Sequence, residues 1–278
     1  MDMNILLSFL QILFVSFLEL LYLFGVIIAV GLVLGVLERY SNTYLIKAFG
    51  SRGVMLTAWI GTPIHEIGHL IQCFIWGHRV TRMKLLQLNS PSGVLGFVEH
   101  QYNRNSWYQQ AGNFFIGLGP IFSGIGSIIL SMYFLMPETY HAFVTEIHRH
   151  VTIGNLEFTF VKIITGAVLI IYKTLFTVDN LFNRLFWIFL IIAICISSHI
   201  ALSRADIEGA AKGLITIYFL LLLFNLIAAV FQMNSYGLIV KISQMNAFVL
   251  AFSSVALFFS LLTLLISILV YSIIKKIR

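Results

Sequence analysis

The chain's 278 residues are 59% hydrophobic and only 10% charged, with a mean hydropathy of +0.96. Soluble domains carry about one quarter charged residues, so a soluble globule is excluded. The formal net charge of +6 does not point to nucleic acid, because Lys and Arg sit in short segments between apolar runs and at the C-terminus (Lys275, Lys276, Arg278), where orientation signals of membrane proteins belong.

Apolar runs long enough to cross a bilayer as helices, which takes roughly 20 residues, cover about 5–37, 54–76, 112–136, 183–203, 213–232 and 247–274. The expected fold class is therefore all-α and polytopic, with about six transmembrane helices and a small membrane-associated β-hairpin, in a single domain over residues 1–278. The N-terminal MDMNILLSFL has neither a basic region nor a small-residue cleavage site before its apolar stretch, and reads as a retained span rather than a signal peptide. That first run is too long for a straight perpendicular helix, and Glu19 lies inside it.

The second run contains GTPIHEIGHL, residues 61–70. His65, Glu66 and His69 form H-E-x-x-H. On a helix, positions i and i+4 share a face, so both imidazoles reach one metal ion while Glu66 leans over an open coordination position. Zinc suits two His nitrogens, a third protein ligand and a water. Ionisable groups inside a membrane are costly and tend to be functional. Chance polar residues that hydrogen-bond between helices are the plainer account of the same pattern.

Between residues 82 and 103, RMKLLQLNSPSGVLGFVEHQYN places two short apolar-rich runs around a turn composition at Asn89–Gly93, which predicts a β-hairpin. Its edge could hold an extended peptide as an added strand, or simply pack on the membrane surface. In the third run Gly112, Gly117, Gly119 and Pro120 permit close helix approach or a kink. The shorter apolar piece at about 158–173, with Lys162 and Lys173, reads as interfacial or re-entrant.

A third ligand is expected from SSHIALSRADIEG, residues 197–209. Asp206 lies at the end of an apolar run, and His199 and Ser203 precede it by seven and three residues, so all three share a face if the helix is continuous. A carboxylate completing His-His-Asp is acceptable zinc chemistry. His199 is the rival ligand, or else donates a hydrogen bond to a ligand or substrate, with Ser203 in a similar supporting role. Cys73 and Cys195, four residues from His69 and His199, fall in apolar segments and read as packed, with no disulfide framework implied.

Loop charge sets orientation. The 77–111 segment carries Arg79, Arg82, Lys84 and Arg104 against Glu99, which places it in the cytoplasm, with both termini inside. The segment 38–53, with Arg39, Lys47 and Arg52 against Glu38, faces outward in this scheme and runs against the rule.

Taken together, GTPIHEIGHLIQ, the Gly-Pro-x-x-x-Gly of GLGPIFSG (Gly119, Pro120, Gly124) and the late Asp206-x-x-Gly209 resemble the site-2 protease class of intramembrane zinc metalloproteases, over about half the chain. The resemblance implies catalytic helices at about 54–76, 112–136 and 183–212, with zinc held by His65, His69 and Asp206 and Glu66 as the base. It further implies cleavage of transmembrane protein substrates within the lipid bilayer, in a multi-pass protein of a bacterial cell membrane with the active site toward the cytosol. The family's Asn-Pro before the ligand Asp is replaced by Arg204-Ala205, and Ser123 stands where the family often has Asn. The competing class is a metal or ion transporter whose His, Glu and Asp line a path; paired broken helices in related halves would favour it, and no internal repeat is visible.

Overall fold

The computed structural model describes residues 3–50, 52–87, 93–152 and 156–277. Helix α1 (Met3–Phe49) opens the chain and stops where Gly50 takes φ 69°, a left-handed turn that glycine adopts without a Cβ clash. Helix α2 (Arg52–Ile75) follows at once and is closed in the same way by Gly77 at φ 66°. Strands β1 (Arg79–Lys84) and β2 (Phe97–Gln101) pair antiparallel, Arg79 opposite Gln101 and Lys84 opposite Phe97.

Helices α3 (Trp107–Gly117) and α4 (Gly119–Leu135) meet at a 52° bend. Then come α5 (Pro137–Thr152), α6 (Leu156–Leu175), the short α7 (Val178–Phe182) and α8 (Arg184–Ser197). Helix α9 (Arg204–Val230), α10 (Ser235–Ser243) and α11 (Asn246–Ile277) complete the chain. Among the described residues the fold is all-α apart from one two-stranded sheet.

Among the described residues three segments are long and apolar enough to cross a membrane: Phe9–Phe49, Arg204–Val230 and Ser235–Ile277, with the bent α3–α4 pair a fourth if it counts as one span. Phe14, Phe74, Phe134 and Val230 stand exposed on their helices, a surface that suits lipid rather than water. The core lies where α4, α5, α6, α8 and α11 converge, around Ile121, Ile128, Phe143, Ile163, Phe186, Phe189 and Phe259. Helix α1 runs alongside α11 in the same direction: Tyr22 meets Asn246 at one end, and Tyr44 meets Tyr271 at the other. Glu19 is fully buried there and accepts from Asn225 Nδ2 of α9 at 2.5 Å.

Several expected boundaries move. The segment 38–53 is not a loop: α1 runs on to Phe49, with Thr43 Oγ1 bonded back to the Arg39 carbonyl and Lys47 in the last turn, where a cation complements the helix dipole. The 112–136 run is two helices, broken at the Gly117–Pro120 stretch that its composition marked. The stretch 137–152 is helical, and 158–173 lies within the 20-residue α6. The hairpin forms, but starts at Arg79, and its turn at 88–92 lies outside the described residues.

The largest correction concerns the third-ligand segment. His199, Ser203 and Asp206 do not share one helical face, because the chain leaves helix α8 at Ser197 and re-enters at Arg204. Ser197 and Ser198 hydroxyls bond back to the Ile194 carbonyl at 3.1 and 2.7 Å, competing with the backbone bonds that would continue the helix. Ser203 then caps α9: its hydroxyl accepts from Asp206 N while Asp206 Oδ2 accepts from Ser203 N, a reciprocal capping box.

Candidate metal centre

On α2, His65 and His69 lie one turn apart with ring centroids 5.0 Å from each other, and their Nε2 atoms are 3.3 Å apart. Asp206, in the first turn of α9, places Oδ1 3.2 Å from His69 Nε2 and Oδ2 3.7 Å from His65 Nε2. The candidate ligand atoms of these three residues all lie within 4.8 Å of one another. The helix N-terminus under Asp206 favours its negative charge.

The far side of each imidazole is fixed by a backbone carbonyl. His65 Nδ1 donates to the His199 carbonyl at 2.7 Å, and His69 Nδ1 donates to that of Ile116 at 2.8 Å. A carbonyl can only accept, so both Nδ1 atoms carry a proton, and in the neutral form of each ring it is Nε2 that presents a lone pair toward the shared space beside the carboxylate. Such a convergence of donors calls for a proton or a metal cation between them, and a ligating His whose other nitrogen donates to a carbonyl is the arrangement that metal sites use. The donor set fits zinc.

Both carbonyls are available because a helix is broken beside them. In a continuous helix the amide of residue 120 would bond the carbonyl of Ile116, but Pro120 has no N–H. The Ile116 carbonyl is thereby left for His69. Likewise the amide of Ser203, which would bond the His199 carbonyl, turns instead to Asp206.

Glycines allow the approach. A Cβ on Gly119 would come within 2.7 Å of the Gly68 carbonyl carbon, and one on Gly117 within 2.5 Å of the Asp206 carbonyl oxygen. Ser123 ties α4 to α2 just before the His65 turn: its hydroxyl donates to the Ile64 carbonyl at 2.8 Å.

Glu66 is 6% exposed and lines a cavity of about 490 Å³ together with Glu38, Asn42, Thr62, His65, Gly96, His199 and Ser203. The segment leading into β2 passes directly over it: a Cβ on Gly96 would lie 3.0 Å from Glu66 Oε1. A larger apolar hollow of about 570 Å³ lies near the end of α2 between Leu70, Phe74, His78 and Val80, and holds none of the three clustered groups.

The side chain of His199 stands apart from the trio. Its Nε2 lies 2.9 Å from Thr57 Oγ1 and its ring covers Gly61, so its contribution to the centre is its main chain. Ser203 acts through its amide on Asp206. Cys73 and Cys195 are buried free thiols outside the cluster. Sequence reasoning missed Ile116, whose signal was Pro120 four residues on, and Glu38, which follows directly on the end of an apolar run.

Beside the centre the hairpin is pinned by a histidine pair. His78 Nε2 donates to the Gln109 carbonyl at 2.8 Å, and His78 and His100 face each other Nδ1 to Nδ1 at 2.9 Å. Burial lowers the pKa of His78 against the opposing pull of Gln109. Burial, then the neighbouring His78 and His69, lowers His100 to about 4.

Compared with protein-family models, curated proteins and solved structures, the chain matches none.

Proposed function

We propose that the protein is an intramembrane zinc metalloprotease of the site-2 protease kind, hydrolysing peptide bonds in the transmembrane segments of other membrane proteins. The observation that carries this is the convergence of His65 Nε2, His69 Nε2 and the Asp206 carboxylate, with both Nδ1 atoms committed to carbonyls and Glu66 next in sequence to the first ligand.

A zinc ion held by His65, His69 and Asp206 would supply Lewis acidity and bring the pKa of the attacking water toward neutrality. Glu66 would be the base that accepts a proton from the attacking water and returns it to the leaving amine nitrogen. His65 and His69 keep their tautomer through the His199 and Ile116 carbonyls. A helical substrate must be unwound, since its scissile carbonyl is otherwise held in an i to i−4 hydrogen bond. The 93–96 stretch, beside Glu66 and tied to the hairpin by the Gln87 N to Leu95 O bond of 2.7 Å, supports an unwound segment lying along it as an added strand. Six spans, both termini inside and a cytosolic-side centre remain the topology that the loop charges support.

The test uses purified protein and a panel of tagged single-span substrates, with and without a chelator. Cleavage that chelation abolishes and zinc restores is the expected result; cleavage that survives chelation, or no cleavage of any substrate, would count against the assignment.

A further inference from the structure

We propose that Glu38 of α1 is a positioning residue for the metal centre, holding His65 in place through the turn between α8 and α9. The inference rests on the metal reading above. In the turn from Ser198 to Ser203 the amides of Ser198 and His199 still bond back to the Ile194 and Ile196 carbonyls of α8, but those further on have left one helix without entering the next and need other acceptors. The amide of Ser203 finds Asp206, and that of Ala201 finds Glu38 Oε2 at 2.8 Å. Ala201 lies two residues beyond His199, whose carbonyl orients His65. Fixing the amide of Ala201 fixes the intervening peptide planes, and with them the carbonyl.

The rest of the turn's anchoring acts at other points. His199 Nε2 meets Thr57 Oγ1 at 2.9 Å, and Ser260 of α11 donates to the Ser197 carbonyl at 3.2 Å. Neither of these reaches the amide of Ala201. A carboxylate inside an apolar helix is costly and tends to be kept for a function; here it bridges α1 to a non-helical segment that bonds both His65 and Asp206. An acceptor at that distance is what the turn requires, rather than the charge.

That last point makes the proposal testable with three substitutions. Glu38→Gln keeps the reach and an accepting oxygen but no charge, Glu38→Asp keeps the charge but falls one methylene short, and Glu38→Ala keeps neither. Metal affinity is read by cobalt uptake under chelator competition, with the visible cobalt spectrum reporting ligand geometry. Amide exchange over 198–203 provides a readout independent of metal. Glu38→Ala and Glu38→Asp should each lose about 10–100-fold in affinity, the usual effect of removing a group that orients a ligand, with an altered spectrum and faster exchange at Ala201. Glu38→Gln should recover most of the affinity and the protection.

Retention by Glu38→Asp with loss in Glu38→Gln would overturn the proposal in favour of a charge role. Equal behaviour of all three variants, in either direction, would overturn it as well. Should wild-type protein take up no cobalt at all, the metal reading fails and this inference fails with it; uptake by wild type without the predicted ranking sinks this inference alone.

Discussion

His65 and His199 are joined by a 2.7 Å hydrogen bond from the Nδ1 of the first to the backbone carbonyl of the second, so the histidine that competes with Asp206 for the third ligand position in the sequence serves the centre with its main chain. Substituting its side chain leaves that carbonyl in place. His199→Ala should therefore keep zinc, with a loss in affinity of no more than about tenfold from the missing Thr57 contact. Asp206→Ala should reduce zinc content from about one per chain to a small fraction of that. Metal analysis of the two purified variants checks the pair, and reversed outcomes would make His199 the ligand.

The contact between Gly68 and Gly119 predicts a contrast within the glycines of the motif. Gly119→Ala places a Cβ within 2.7 Å of the Gly68 backbone, where no flexible side chain can yield. It should destabilise by about 1–3 kcal/mol, as overpacking does, and weaken metal retention by moving the Ile116 carbonyl. Gly209 has nothing within 4 Å of its missing Cβ. Gly209→Ala should be neutral, or stabilising by up to about 1 kcal/mol through helix propensity. Thermal unfolding in detergent compares the two.

Acid should loosen the hairpin. His100 is held near a pKa of about 4 in the fold against an ordinary value of about 6.5 when unfolded, and His78 is lowered too. Above pH of about 6.5 both states are neutral and stability is complete. Below it the unfolded state binds more protons, so stability falls with pH until about 4, where the folded histidine also protonates. Protection factors across β1 and β2, taken relative to the intrinsic exchange rate at each pH, should fall over that window, and His100→Gln should remove most of that pH dependence. Protection factors that are flat from pH 7 to 4 would contradict the pairing of His78 with His100.

How much of this was legible in the sequence depends on where the information resides. His65, Glu66, His69 and Asp206 carry their chemistry in their side chains, so the helical spacing of the first three and the place of Asp206 at the end of an apolar run singled them out, and His65, His69 and Asp206 do cluster, although the shared helical face invoked for Asp206 does not exist. The carbonyls of Ile116 and His199 have no side-chain signature. Only Pro120 announces one of them, by the N–H it lacks. The α8–α9 break was missed because no Gly or Pro marks it; it arises from Ser197 and Ser198 bonding backward and from the capping box at Ser203. Glu38 was counted as a loop charge since the apolar run ends one residue before it, yet the helix continues to Phe49. Hydropathy records where lipid begins and ends, not where hydrogen bonding stops.

The central claim is that Glu66 moves a proton at a metal-activated water, rather than binding the metal or lining an ion path. Glu66→Gln keeps the size and hydrogen-bonding capacity of the side chain but cannot accept that proton. The decisive measurement is zinc content and substrate cleavage in the same purified preparation of this variant. The account predicts about one zinc per chain, as in wild type, with cleavage reduced at least about 100-fold and the uncut substrate retained on the protein. Normal cleavage, or loss of the metal, would contradict it.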